Sequence, residues 1–188
     1  METDFCKGVP AMKYLVLYSS RTGNTRKVAE AIASALPAGS PCLDIGILAG
    51  VPQDLPRYDC VFMGFWVDKG TADAASQAVL REIRNPYAAL FGTLGADPKS
   101  EHAAKSMANA AALLPDGKVP VSTFLCQGKV DPKLIEEMYK RFPPESLHGR
   151  NAASEARHKA ASTHPDAEDL AAAAAFARKT MALAEGKE

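Results

Sequence analysis

Three hydroxyl side chains fall within the six residues Ser20-Arg21-Thr22-Gly23-Asn24-Thr25, with an amide at Asn24 and a glycine in their midst. Short donors packed this closely suit an oxygen-rich anion such as a phosphate monoester, which wants many hydrogen bonds in water-poor surroundings. Gly23 lets the backbone curl close around a ligand. A helix opening at Thr25 or Arg26 adds unpaired N–H groups and the positive end of its dipole, and the Asn24 amide offers a further donor. Ser and Thr also cap helices with no ligand present; the position of this turn directly after an apolar strand favours the anion site. The chain has no G-x-x-x-x-G-K-[ST] string and no G-x-G-x-x-G turn after its first strand, which disfavours nucleoside triphosphates and a dinucleotide pyrophosphate.

The elements that must hold this turn can be read from hydrophobic patterning. Lys13 to Ser19 is a nearly continuous apolar run, as expected of a central parallel strand buried on both faces. Arg26 to Leu36 places Val28, Ala29, Ile32, Ala33 and Leu36 on one helical face, and Pro37 and Gly39 end the helix. Further strands are predicted at Cys42 to Ile47, Tyr58 to Gly64, Tyr87 to Phe91 and Val121 to Cys126. Helices are predicted at Asp73 to Ile83, Ser100 to Leu114 and Asp166 to Glu185. This alternation implies a doubly wound α/β fold, with a parallel sheet, right-handed crossovers and helices on both faces. Ligands of such sheets sit at the carboxyl ends of the strands, where the loops Phe65 to Gly70 and Gly92 to Pro98 also emerge.

Composition narrows the function classes. The chain has 188 residues, 47% hydrophobic and 23% charged, as a globular protein does. Its 22 Lys and Arg equal its 22 Asp and Glu, so overall charge offers nothing toward nucleic acid. Cys6, Cys42, Cys60 and Cys126 are far apart without metal-ligand spacing, and read as reduced structural thiols. No apolar stretch approaches the roughly 20 residues of a membrane span. Residues 1–11 read as an N-terminal extension ahead of a domain from 12 to 188; they lack the basic and apolar regions of a secretory signal, so a cytoplasmic location is expected.

The turn Ser20 to Thr25 resembles the phosphate loop of the flavodoxin family, T/S-x-T-G-x-T, and matches every fixed position. The strings Gly64-Phe65-Trp66-Val67-Asp68-Lys69-Gly70, Phe91-Gly92-Thr93-Leu94-Gly95 and Phe124-Leu125-Cys126-Gln127-Gly128-Lys129 are similar to a subgroup of flavodoxin-domain proteins that includes the one associated with bilirubin reductase. The resemblance implies a five-stranded parallel sheet of order 2-1-3-4-5 and noncovalent FMN, with the phosphate at Ser20, Arg21, Thr22, Gly23, Asn24 and Thr25. It also implies that two later loops clasp the flavin ring: Phe65, Trp66, Val67, Asp68, Lys69 and Gly70 on one side, and Thr93, Leu94, Gly95, Ala96 and Asp97 on the other. Trp66 is the expected stacking partner and Phe65 the alternate. The second loop lacks the tyrosine many flavodoxins place there, so either Leu94 packs against that face or the face is open to a substrate or partner. Asp68 and Lys69 are expected to move the flavin potential in opposite directions.

Residues 128–164 form an unusually long connection, with helices predicted at Pro132 to Phe142 and Ala152 to Ala161. It leaves the ligand edge of the sheet, either capping the site or decorating the surface. Lys129, Arg141, His148, Arg150, His158 and His164 lie in it and suit a substrate anion or a proton relay. The resemblance implies an electron carrier between a reductase and a redox partner protein. An FMN-dependent reductase acting on a small organic acceptor and a flavin-free interaction module are the alternatives.

Overall fold

The computed structural model describes residues 11–48 and 50–186. Except for Ala11, the expected N-terminal extension lies outside these residues, and so does Cys6. In chain order the elements are β1 (Tyr14–Tyr18), α1 (Asn24–Ser34), β2 (Cys42–Asp44), α2 (Ile45–Leu48), β3 (Cys60–Asp68), β4 (Thr71–Ala72), α3 (Ala74–Leu80), β5 (Tyr87–Leu94) and α4 (Glu101–Ala111). The chain continues through β6 (Ser122–Gln127), α5 (Pro132–Arg141), α6 (Ala152–Ala161) and α7 (Ala167–Ala184).

All five residues of β1 are buried, because the strand has a parallel neighbour on each side and a helical layer on each face. Val16 pairs with Cys42 of β2 and with Phe62 of β3. The parallel order β2-β1-β3-β5-β6 is the expected 2-1-3-4-5 order once the two-residue β4, which pairs antiparallel with β3, is set aside. Alternation along the strands divides the core in two. Leu15, Leu17, Val61, Met63 and Leu90 meet Val79 and Leu80 of α3 and Met107 and Ala110 of α4. Tyr14, Val16, Phe62 and Phe91 meet Val28 and Ile32 of α1 and Ala173, Phe176 and Ala177 of α7. At roughly 1.5–3 kcal/mol per fully buried large apolar side chain, these two layers supply most of the drive to fold.

The chain departs from the expected elements where local chemistry competes with pattern. β2 stops at Asp44 rather than Ile47, because the Asp44 carboxylate accepts the Gly46 N–H at 2.9 Å and turns the chain into α2. β3 does not open into a loop at Phe65; it continues to Asp68 and folds back into β4. The turn residues Lys69 and Gly70 have φ of 49° and 80°, the left-handed pair of a tight hairpin turn whose twist matches the strands it joins. β5 likewise runs on to Leu94. Burial pushes the Cys60 and Cys126 thiols up to about 12 and Cys42 up to about 11, so these thiols stay protonated and pack as small apolar groups.

The start of α7 is held by a reciprocal cap. The Asp166 carboxylate accepts the N–H groups of Glu168 and Asp169, both at 2.9 Å, and Asp169 accepts the Asp166 N–H at 3.0 Å. His164 Nδ1 joins it at 2.5 Å from Asp169 Oδ2, a hydrogen bond that raises the imidazole pKa.

Two outcomes follow. Gly64 lies opposite Phe91 in β5, and a Cβ there would sit 2.2 Å from the Phe91 ring. Gly64→Ala is therefore expected to lower the urea unfolding free energy by about 1–3 kcal/mol through overpacking. Because the His164 pKa is raised by folding, its contribution is complete below the unfolded value of about 6.5 and lost as pH rises through the higher folded value. The stability gap between the native chain and His164→Gln should therefore be larger at about pH 5.5 than at about pH 8.5; an unchanging gap counts against the assigned bond.

Candidate functional site

The six-residue turn leaves the carboxyl end of β1 and becomes the N-terminus of α1. Ser19 is pinned at its start, its N–H donating to the Gly64 carbonyl of β3 at 3.0 Å. Gly23 has φ 87°, and nothing lies within 4 Å of a Cβ built there; glycine is needed for the backbone conformation, not for space. The Ser20 hydroxyl accepts the N–H groups of Gly23 at 3.1 Å and Arg26 at 3.3 Å, which makes it the internal brace of the turn. The N–H groups of Thr22, Asn24 and Thr25 have no acceptor among the described residues. No acidic side chain sits in the first turn of α1 to offset its dipole. Three unpaired donors at a helix start suit an anion chemically.

The side chains divide this work unevenly. Asn24 spends both amide protons inside the protein, donating to Thr22 Oγ1 at 3.1 Å and to the Lys129 carbonyl at 2.9 Å; it braces the site, where the sequence suggested a direct donor. Thr22 Oγ1 receives that bond and keeps its own proton to donate. Thr25, 1% exposed, shares a 2.9 Å hydrogen bond with Thr93 Oγ1 of β5, which fastens the turn to the second ring loop.

The first ring loop is a hairpin, and its strand geometry sorts the two aromatics. Successive side chains on β3 face opposite ways, so Phe65 and Trp66 cannot serve the same face. Phe65 is 0% exposed and packs with Met63, Val67 and Leu90 in the core, against Gly92; that removes it as a stacking partner. Trp66 is half-buried on the opposite side, with the Arg21 guanidinium 5.5 Å from its ring centre, a cation–π contact joining the phosphate turn to the ring loop. Asp68 pairs with Thr71, Lys69 is exposed at the hairpin tip, and the Gly70 carbonyl accepts from Asn109 of α4 at 2.8 Å. In the second loop Thr93 and Leu94 are buried strand residues, 3% and 5% exposed. Leu94 therefore presents no open side chain to a ring, and only Gly95, Ala96 and Asp97 form a true loop there. The Asp97 carboxylate is held by the Lys99 N–H at 2.8 Å.

The connection from β6 to α7 starts at this edge. Gly128 donates its N–H to the Leu94 carbonyl at 2.8 Å, and Lys129 to the His164 carbonyl at 2.9 Å, so the two ends of the segment close on each other beside the phosphate turn. Beyond this neck, α5 and α6 are joined by Tyr139 and His158, whose hydroxyl and Nδ1 lie 2.9 Å apart. Burial first, then the nearby Arg157 and His148, lower the His158 pKa. Four more of the candidate basic residues have structural partners: Arg150 pairs with Glu155 at 3.0 Å, Arg141 and His148 flank Phe142, and His164 meets Asp169; the Lys129 side chain is exposed. The sequence pointed to none of the contacts made by the neck; Gly95 and Gly128, at which a Cβ would lie 2.4 Å from Val130 and 2.8 Å from Asn24 respectively, were the only local hint.

A doubly wound parallel sheet with unpaired N–H donors at the carboxyl end of its first strand, flanked by the segments that follow β3 and β5, matches the architecture of mononucleotide-binding α/β proteins. The flavodoxin domain family matches residues 15–178. A flavodoxin-like domain-containing protein, BilS, of Clostridioides difficile (strain CD3) is 37% identical over 173 residues, covering 90% of this chain and 97% of that one. Its namesake from Clostridium symbiosum (strain WAL-14163) is 32% identical over 174 residues, covering 86% and 92%. Among solved structures, the flavodoxin WrbA-like protein of Agrobacterium tumefaciens superposes with a TM-score of 0.58 at 12% identity, over 95% of this chain and 100% of that one. The chain belongs to the flavodoxin family.

The Arg21–Trp66 contact is testable without any ligand. Arg21→Ala should change the emission of Trp66, the only tryptophan, in intensity or wavelength, with the far-ultraviolet circular dichroism unaltered; identical emission would dismiss the contact.

Proposed function

We propose that this chain binds FMN noncovalently and passes electrons between a reductase and a redox partner protein. The observation that carries the reading is the set of three unpaired N–H groups at Thr22, Asn24 and Thr25, beside a Thr22 hydroxyl with a proton to give. This donor set suits a single terminal phosphate, with no lysine or metal needed to neutralise it. Trp66 on one side and Gly95 to Asp97 on the other would flank the ring, with Asp68 and Lys69 supplying opposed charges near it. The bound flavin supplies the redox chemistry, taking up and releasing electrons, while the protein sets its position and electrical surroundings. Arg21 holds Trp66, Ser20 braces the turn, and the Thr25–Thr93 pair keeps the phosphate and ring ends of the site in fixed relation.

A carrier needs its cofactor edge within reach of another protein, and the exposed hairpin tip at Lys69 and the exposed Asp97 give that edge an accessible rim. No helix among the described residues is long and apolar enough to cross a membrane. One observation favours the second reading, a reductase acting on a small organic acceptor: the Tyr139–His158 pair stands on the segment rising from the same sheet edge, and a hydroxyl hydrogen-bonded to an imidazole is a competent proton donor.

Two measurements check this. Thr22→Ala should raise the dissociation constant for FMN roughly 10- to 100-fold, the worth of a hydrogen bond to a charged group at about 1.5–3 kcal/mol, and leave riboflavin binding nearly unchanged; equal losses would sink the phosphate assignment. In anaerobic stopped flow, the FMN-loaded chain should be reduced by NAD(P)H only when a flavoprotein reductase is added. Rapid reduction by NAD(P)H alone, coupled to turnover of a quinone or azo acceptor, would replace the carrier with the reductase.

A further inference from the structure

A line of hydrogen bonds runs from the phosphate turn to both ends of the α5–α6 segment. Thr22 Oγ1 accepts from the Asn24 amide, which also donates to the Lys129 carbonyl. The Lys129 N–H donates to the His164 carbonyl, and the His164 N–H to the Ala161 carbonyl at the end of α6. The steric fit at the neck is as close as its bonding. A Cβ at Gly128 would lie 2.8 Å from Asn24 Nδ2, and one at Gly95 would lie 2.4 Å from Val130. The neck is thus wedged between the phosphate turn and the second ring loop. Farther out, α5 buries none of its residues, so little else in that helix resists movement of the segment.

We propose that Asn24 is a positioning residue that couples phosphate binding to the α5–α6 segment, so that the protein holds this segment firmly only when the cofactor phosphate is in place. The inference rests on the FMN reading. Thr22 has one proton to donate; once it is given to the phosphate, the hydroxyl oxygen becomes a stronger acceptor for the Asn24 amide, as expected in a chain of hydrogen bonds. Asn24 is then fixed with its second proton on Lys129, and the neck is fixed with it. The coupling is reciprocal: whatever restrains the neck also strengthens phosphate binding. A partner that docks on α5 and α6 would in this way distinguish loaded from empty protein without touching the flavin.

Hydrogen exchange followed by mass spectrometry tests the proposal, comparing the chain alone, with FMN and with riboflavin. FMN should slow exchange in the turn, 19–27, and also in 128–134 and 158–165, with the effect on the neck at least about threefold larger than that of riboflavin at equal occupancy. In Asn24→Ala, FMN should still protect 19–27 while its effect on the neck disappears. Gly128→Ala, which keeps every side chain of the turn but whose added methyl would press on the Asn24 amide, should uncouple the two regions in the same way. Protection of 19–27 with no phosphate-dependent change at the neck, or a neck response that persists in both variants, overturns the coupling and leaves the FMN reading standing. Absence of protection at 19–27 removes the FMN reading and the coupling together.

Discussion

Thr25 is almost completely buried, yet its N–H, like those of Thr22 and Asn24, has no acceptor among the described residues. A helix must leave its first N–H groups unpaired by its own backbone, and the usual remedy is a side chain that caps them. Here the Ser20 hydroxyl serves Gly23 and Arg26 and leaves the N–H groups of Thr22, Asn24 and Thr25 unpaired at the carboxyl end of β1. The rest of the architecture follows from holding these donors in place. β1 is buried on every side, so the turn has a rigid origin; α1 is clamped by Val28, Ala29 and Ile32 in the core shared with α7; and the Thr25–Thr93 bond ties the helix start to the fourth parallel strand.

How much of this was legible in the sequence depended on the range of the contacts. The turn Ser20 to Thr25 is a local pattern, hydroxyls and a glycine after an apolar run, and its place between β1 and the start of α1 was readable from six residues. The strand order and the two core layers followed from alternation and from the rules that govern parallel crossovers. The ring loops were harder. Read as an irregular loop, the stretch favours Trp66 over Phe65 without separating their faces; once β3 is known to run to Asp68, the two-residue period of a strand puts Phe65 in the core and Trp66 on the opposite side. The signal for that extension was Lys69-Gly70, two residues that fit the left-handed turn of a hairpin. β2 was overextended for the opposite reason, because the Asp44 side chain offered the backbone a local bond that ended the ladder.

The contacts of the neck lay beyond any such reading. Asn24 and Lys129 are 105 residues apart, and their meeting depends on β6 lying beside β5 with its carboxyl end turned toward α1. The same topology explains why most of the basic residues of the α5–α6 segment, attractive on paper as substrate ligands, are instead engaged with neighbours in that segment: two short polar helices with little core must be joined by pairs such as Tyr139–His158 and Arg150–Glu155.

The hairpin after β3 has a kinetic meaning. A wall built from a continuous strand, closed by a two-residue turn and tied to α4 through Asn109 and the Gly70 carbonyl, does not swing aside as a flexible flap does. A planar molecule seated against Trp66 would have to arrive and depart past the shorter, less regular stretch Gly95 to Asp97. The lifetime of its stay would then be governed by the irregular side, leaving the strand-built side to set its orientation.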